Sequence, residues 1–327
     1  MRTGLRLVKI VSFALIVVGL CAPWAAAAYP EKSITMYCVF SPGGSMDASA
    51  RALATEAEKI LGQPIVIVTK DGGGGTVGLS VLATDKPDGY TLAAATSSQI
   101  MRHPLDRKVT YKPLASFTPI YVYALPPTGL MVMPDSPFKT LKDLVEHARK
   151  NPGQVKYATA GVGTPMHLIM ELIARKEKIR WVHVPYKGTA PANTALLGGH
   201  VDAVSSGDVN MAISGQLRPL LMYTKDRYNR FPDVPTSVEL GYGYYNDTLF
   251  SVFGPAGMDP AVVKKLEDAF EKALDGPAWA KVVEAFGLMT FKMKSEEYKK
   301  FLQEAWDREV EVRKSLDLIK EPATEPN

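Results

Sequence analysis

Short continuous apolar runs alternate along this chain with longer stretches whose apolar residues fall at helical spacing. Ile34 to Phe40 is an apolar run rich in strand formers, then Pro42-Gly43-Gly44 breaks it, and Leu53, Ala54, Ala57 and Ile60 recur at helical intervals. This predicts a buried strand, a tight loop and a helix. Gly62 and Pro64 close that helix. A second strand is predicted over Ile65 to Thr69, followed by the glycine loop Gly72 to Gly78 and a short helix to Ala83. Pro87-Asp88-Gly89 is a turn, and Tyr90 to Ala95 a third strand ending in Thr96-Ser97-Ser98. Three strand, loop and helix repeats in succession predict a parallel sheet with its polar loops at the carboxyl edge.

Between residues 100 and 126 the rhythm breaks on Pro104, Pro113, Pro119 and Pro126, which suggests a crossing between domains. The pattern then restarts. Gly129 to Met133 is a strand, and Thr140 with Asp143 can cap a helix that ends near Asn151-Pro152-Gly153. Val155 to Ala158, Trp181 to Val184 and Val201 to Val204 are further strands, with helices His167 to Lys176 and Ala190 to Leu197 between them. Arg218 to Tyr223 completes a second sheet. Proline and tyrosine return between Pro232 and Tyr245 as a second crossing, and Leu249 to Phe253 reads as a strand returning to the first domain. The tail is expected to be helical: Pro260 to Leu274, Pro277 to Phe286, and a charged amphipathic run from Ser295 to Leu318.

The first 28 residues differ in kind. MRTGLRLVK carries three cations and no acid, Ile10 to Ala22 is apolar, and Ala25 to Ala28 offers a small-residue cleavage site, the pattern of a secretory signal peptide. Removing Arg2, Arg6 and Lys9 takes the formal charge from +4 to +1, so the basicity belongs to the signal. With no basic tract or aromatic ladder left, nucleic acid is not an expected partner. Only Cys38 remains in the processed chain, so no disulfide forms, and an exported chain of this size without one fits a bacterial periplasm.

Where a glycine loop leads from a parallel strand into a helix, backbone N–H groups converge with the positive end of the helix dipole behind them, and an anion fits there. The backbone of Gly43, Gly44 and Ser45 is the first candidate; the side chains of Ser45 and Asp47 read equally as contacts or helix caps. Gly72 to Gly75 lacks the Lys-Ser/Thr of a nucleotide loop. Gly161-Val162-Gly163-Thr164 is a second loop of the same type, and His167 behind it either donates to a carboxylate or satisfies its own backbone. His183 reads as a packed histidine. No spacing of His, Cys and acids makes a metal site, and no nucleophile elbow is present. Tyr242, Tyr244 and Tyr245 are either a wall of the cleft, which would suit an aromatic acid, or an exposed crossing.

In these motifs the chain resembles the solute-binding receptors of the tripartite tricarboxylate transporter system, the TctC or Bug family. The resemblance is carried by Tyr29-Pro30-Glu31-Lys32, Pro42-Gly43-Gly44 with Asp47, Leu61-Gly62-Gln63-Pro64, and Pro87-Asp88-Gly89-Tyr90. It continues through Gly161-Val162-Gly163-Thr164 with His167, His183-Val184-Pro185-Tyr186-Lys187-Gly188, Leu197-Gly198-Gly199, Pro232-Asp233-Val234-Pro235-Thr236 and Pro255-Ala256-Gly257. The family usually has Trp where this chain has Leu249, and Gly where it has Ser251.

The resemblance implies a two-lobed, type II-like periplasmic-binding-protein fold: two open, mainly parallel α/β sheets with helices on both faces and a ligand cleft between them. The expected division is a signal peptide over 1–28, a first lobe over 29–126 plus 246–327, and a second lobe over 127–245. The implied first-lobe site is Pro42, Gly43, Gly44, Ser45 and Asp47 with Gly75, Thr76, Ser97 and Ser98, where main-chain amides and ordered water would hold one carboxylate. In the second lobe Thr159, Gly161, Gly163, Thr164, His167, Tyr186, Ser205 and Asp208 would select the rest of the ligand. The implied partners are a small organic mono- or dicarboxylate and two membrane subunits, one large and one small, driven by an ion gradient. A monomer without cofactor is expected. An enzyme on this scaffold would need a titratable pair in the cleft, for which only His167 and Asp208 are available. Uptake and carboxylate sensing for a signalling partner are both compatible with the sequence.

Overall fold

The computed structural model describes residues 29–186, 188–206 and 209–318. The expected signal peptide, Lys187 and Asp208 lie outside the described residues. The first sheet has the order β11-β4-β10-β3-β1-β2, built from β1 (Ile34–Cys38), β2 (Ile65–Thr69), β3 (Thr91–Thr96), β4 (Phe117–Leu125), β10 (Phe250–Pro255) and β11 (Met289–Lys294). The second has the order β7-β6-β8-β5-β9, from β5 (Gly129–Val132), β6 (Lys156–Thr159), β7 (Val182–Pro185), β8 (Ala203–Ser206) and β9 (Arg218–Met222).

The first three strands pair in parallel as expected, with α1 (Ser45–Leu61) and α2 (Thr76–Leu82) as crossovers, and the short helices α3 (Ser98–Met101) and α4 (His103–Asp106) follow β3. α1 stops at Gly62, whose φ of 72° is the left-handed cap position that Gly adopts without strain. β6 likewise pairs in parallel with β7 and β8. The sheets as a whole are mixed, and this corrects the expectation of mainly parallel ones. β10 runs antiparallel to β3 and β4, β4 to β11, and β5 to both β8 and β9. The crossings are the reason: β10 and β5, the strands by which the chain enters each sheet from a crossing, run against the parallel set, whereas β4 keeps the direction of β1 to β3.

Two strands depart from the sequence expectation. β4 occupies the stretch assigned to a crossing, with Pro119 inside it. The pairing with β10 slips at that point, where Val252 faces Tyr121 and Phe253 faces Pro119. Such a bulge lets a residue without an N–H sit inside a sheet. β11 interrupts the expected all-helical tail: α10 (Pro277–Phe286) ends on left-handed Gly287, and Met289–Lys294 then forms an edge strand.

The remaining long helices match their sequence signals. α5 (Leu141–Lys150) begins with the Thr140/Asp143 capping box. α6 (Pro165–Glu177) starts on Pro165 with Thr164 as cap, α7 (Thr189–Leu197) follows Gly188, and the short α8 (Asn210–Ile213) lies between β8 and β9. α9 (Pro260–Ala273) and α10 pack on α1 beside the first sheet. α11 (Ser295–Ser315) spans both halves: Tyr298 and Leu302 belong to the core around the first sheet, while Val312 and Leu316 pack against the core of the second.

Candidate functional site

The loop after β1 turns into α1 through Gly43, whose φ is 87°, and Gly44, which caps the helix. Gly43 donates its N–H to Asp47 Oδ2 at 3.1 Å, and Arg51 Nε donates to Asp47 Oδ1 at 3.0 Å. Burial opposes ionisation of Asp47, but these hydrogen bonds outweigh it and hold its pKa below the ordinary value. An ionised carboxylate only accepts, so Asp47 shapes the loop and does not itself donate to an anionic ligand. A glycine cap brings no side chain to the first-turn amides of α1, which by helix geometry lack an intrahelical partner.

The next two loops are joined to each other. The Thr96 N–H and hydroxyl both donate to Gln99 Oε1 (2.7 and 2.8 Å), and Gln99 Nε2 donates to the Gly74 carbonyl at 2.7 Å. Gly75, with φ 96°, closes against this residue: a Cβ there would stand 2.9 Å from Gln99 Nε2 and from Val39 Cγ2. Gln99 was not among the expected site residues, and its link to Gly74 spans 25 positions that no local motif reveals. The Thr76 hydroxyl is turned back to the Gly73 carbonyl at 3.0 Å. The Ser97 hydroxyl donates to the Asp247 carbonyl (2.8 Å) and accepts the Leu249 N–H (2.9 Å). Ser98 Oγ accepts from Arg102 Nη1 at 3.0 Å and lies 3.1 Å from Thr248 Oγ1.

In the second half, Thr159 Oγ1 at the end of β6 lies 2.7 Å from His183 Nε2 and accepts the Gly161 N–H at 3.1 Å. Thr164 caps α6, and its hydroxyl donates to the Gly161 carbonyl at 2.9 Å. His167 Nδ1 accepts the Gly163 N–H at 3.2 Å. Its ring stacks on His183 at 4.1 Å, and His183 stacks on Tyr157 at 5.0 Å. Burial lowers the pKa of His167, with Glu171 opposing; burial and His167 bring that of His183 down to about 4. Ser205 is fully buried, donating to the Met166 carbonyl (2.8 Å) and lying 2.7 Å from the Tyr223 hydroxyl. Tyr186 is half-buried beside the core around β8.

Of the expected site residues, then, most side chains are engaged within the protein, and what the loops offer is their main chain. Fixed amides at helix starts suit an anion. A cavity of about 320 Å³ opens between the two sheets, lined by Ser45, Phe286 and Leu288 on one side, Pro126 and Pro127 at the crossing, and Thr189, Ala190, Val209 and Asn210 on the other. Eight of these nine residues, all but Ser45, are absent from the expected site; the glycine before Thr189 was the available signal. A larger cavity of about 500 Å³ lies under α11 against Phe117, Phe253 and Leu302 and includes none of the glycine loops.

The three tyrosines do not line the cavity between the sheets. Tyr244 is fully buried and donates to Glu309 Oε1 at 2.6 Å, Tyr242 donates to Glu177 at 3.1 Å beneath Lys176, and Tyr245 faces the Arg308 guanidinium at 5.3 Å. Leu249 is likewise a core residue. Among the described residues no group of three or more His, Cys, Asp or Glu could hold a metal ion, and no helix is long and apolar enough to cross a membrane.

Two open α/β sheets, joined by two crossings and carrying amide-rich loops beside a cavity between them, define a two-lobed solute-binding protein. The model of the tripartite tricarboxylate transporter family receptor, TctC, matches residues 49–318. The chain belongs to this family, whose members are periplasmic substrate-binding receptors and not enzymes. It is 36% identical over 294 residues to the UPF0065 protein in gbd 5'region of Cupriavidus necator, covering 89% of this chain and 90% of the relative. Among solved structures it resembles R. palustris Rpa4515 with adipate (TM-score 0.74, 26% identity, 89% of this chain and 99% of that one). It also resembles MatC (Rpa3494) from Rhodopseudomonas palustris with bound malate (TM-score 0.71, 28% identity, 87% and 99%).

Proposed function

We propose that this protein, exported by its N-terminal signal peptide, captures a small organic carboxylate by closure of its two lobes and delivers it to a tripartite transporter. The first lobe is 29–126 plus 246–327 and the second 127–245; only the closed form touches both ends of the acid, so ligand shifts the population toward it. The transporter partner is one large and one small membrane subunit. Dicarboxylates are the first class to test, since relatives of the same fold hold adipate and malate.

The observation that carries this reading is the glycine-capped start of α1, with Ser45 on the cavity between the sheets. Opposite it, α7 begins at Thr189 on the same cavity. Two helix starts facing one cavity favour negative charge at both ends of a ligand. With the tyrosines engaged elsewhere, nothing favours an aromatic acid over an aliphatic one.

A thermal-shift screen of the processed protein against aliphatic and aromatic mono-, di- and tricarboxylates tests it. A ligand that binds only the folded state stabilises by about 2.7 kcal/mol at a hundred times its dissociation constant. A panel without a single shift, on well-folded protein, would sink the reading.

A further inference from the structure

A chain of buried charges runs behind the two sets of site loops. Arg313, in the last turn of α11, is 1% exposed. Its Nε and Nη2 donate to the two carboxylate oxygens of Asp106 at 3.2 and 3.3 Å, and Nη2 also donates to the Gly163 carbonyl at 3.1 Å. Its Nη1 donates to Glu309 Oε2, one turn earlier. Glu309 is completely buried, and its Oε1 accepts from Arg102 Nε at 2.7 Å and from the Tyr244 hydroxyl. Arg102 in turn donates to Ser98 Oγ, Thr248 Oγ1 and Asp247, and the Asp247 carbonyl accepts from Ser97. The loop Gly161 to Thr164 of the second half is thus tied through three buried ions, Arg313, Glu309 and Arg102, to Ser98 of the first, and through a fourth, Asp247, to Ser97.

Stability alone does not account for such a chain. Removing ions from water costs so much that well-packed apolar residues serve a core as well or better; the best-attested return on a buried ion chain is a fixed register. The fit at the joint is close: a Cβ on Gly163 would stand 3.4 Å from Asp106 Oδ1. α11 also straddles the halves, with Arg175 of the second half donating to the Ser315 carbonyl.

We propose that Arg313 is a positioning residue for ligand binding: through Glu309 and Arg102 it holds the loop Gly161 to Thr164 in register with the loop Thr96 to Ser98. The inference rests on the reading of these loops as the two halves of one carboxylate site. Arg313 itself is not a ligand contact. Its planar fork engages Asp106, Glu309 and a carbonyl at once, which a lysine ammonium cannot reproduce.

Arg313→Lys, Arg313→Gln and the milder Asp106→Asn, which leaves the Arg313–Glu309 pair intact, test this together with Leu266→Ala as a core control. Two readouts are compared: affinity for malate and adipate by calorimetry, and hydrogen exchange of amides 161–167 in ligand-free protein. Each Arg313 variant and Asp106→Asn is expected to weaken the dicarboxylate about tenfold or more. The same variants should speed exchange at 161–167 while leaving β5 and β9 protected. Leu266→Ala should lower the melting temperature with affinity and loop exchange unchanged. Wild-type loop exchange in the folded Arg313 variants, or an equal loss of affinity in Leu266→Ala, would overturn the proposal. Wild-type protein that binds no carboxylate would instead refute the functional reading, and the exchange measurement then decides the role of Arg313 alone.

Discussion

His167 Nδ1 accepts the Gly163 amide at 3.2 Å, so the side chain best suited to hold a carboxylate is used to shape the loop in front of it. The ring nitrogen that accepts carries no proton, which leaves the proton on Nε2, 3.8 Å from Glu171 Oε1. The shape of that loop is therefore what the His167 ring sets.

His167→Asn keeps an acceptor near the Nδ1 position, and His167→Leu removes it. Calorimetry should find affinity for the dicarboxylate close to wild type in the first and about tenfold weaker in the second, the worth of one lost hydrogen bond at the site. If asparagine were as damaging as leucine, the imidazole would have to touch the ligand directly.

The histidine stack sets an acid limit. His183, at about 4, and His167 both titrate below the ordinary 6.5, chiefly through burial, and His103 outside the stack is likewise brought down to about 4 by burial and the neighbouring arginines. As pH falls below 6.5 the unfolded chain takes up these protons before the folded one, so the histidines' contribution to stability is flat above that value and declines from there toward pH 4. Asp47 and Glu309 have lowered carboxylate pKa values, so their share is lost only below their ordinary 3.8 and 4.5. Melting temperature should therefore already drop between pH 6.5 and 4.5, and less steeply in His183→Gln, which keeps a partner for Thr159. A slope unchanged by that substitution would assign the decline to other groups.

Two glycines of the first lobe should respond differently to alanine. At Gly43, φ is 87° with nothing within 4 Å of an added Cβ, so the cost is backbone strain of about 1–2 kcal/mol. At Gly75 the same strain is joined by 2.9 Å approaches to Gln99 and Val39. Urea titrations should show Gly75→Ala the less stable of the two, and calorimetry should show it binding more weakly. Equal losses would mean that the Gln99 bridge yields without consequence.

Ser205 was expected at the ligand, yet its hydroxyl is buried between Met166 and Tyr223. Ser205→Ala strands those partners and should cost about 1–3 kcal/mol of stability. Affinity at saturating folded protein should stay the same; a selective loss of binding with unchanged stability would return Ser205 to the site.

What the sequence discloses is whatever local chemistry forces. A Pro-Gly-Gly break between an apolar run and a helical pattern can hardly be anything but a loop, and Thr140 with Asp143 announces its helix within four residues. β4 was hidden because Pro119 argues against a strand unless the bulge beside Phe253 is known. β11 was hidden by its polar outer face, MTFKMK, lying between two strong helices. The commitments of His167 and Ser205 depend on neighbours folded against them, and Arg102 meets Glu309 across 207 positions. No spacing rule reaches that far, so the loops could be named in advance and the framework that aligns them could not.

The most direct measurement is a calorimetric titration of the processed protein with malate and adipate, each beside its diamide. Two amide-rich helix starts facing one cavity should bind a dicarboxylate at one per chain and reject the uncharged diamide of the same shape. Equal binding of acid and diamide, or heat from neither across the whole carboxylate series, would contradict capture of an anion at these loops.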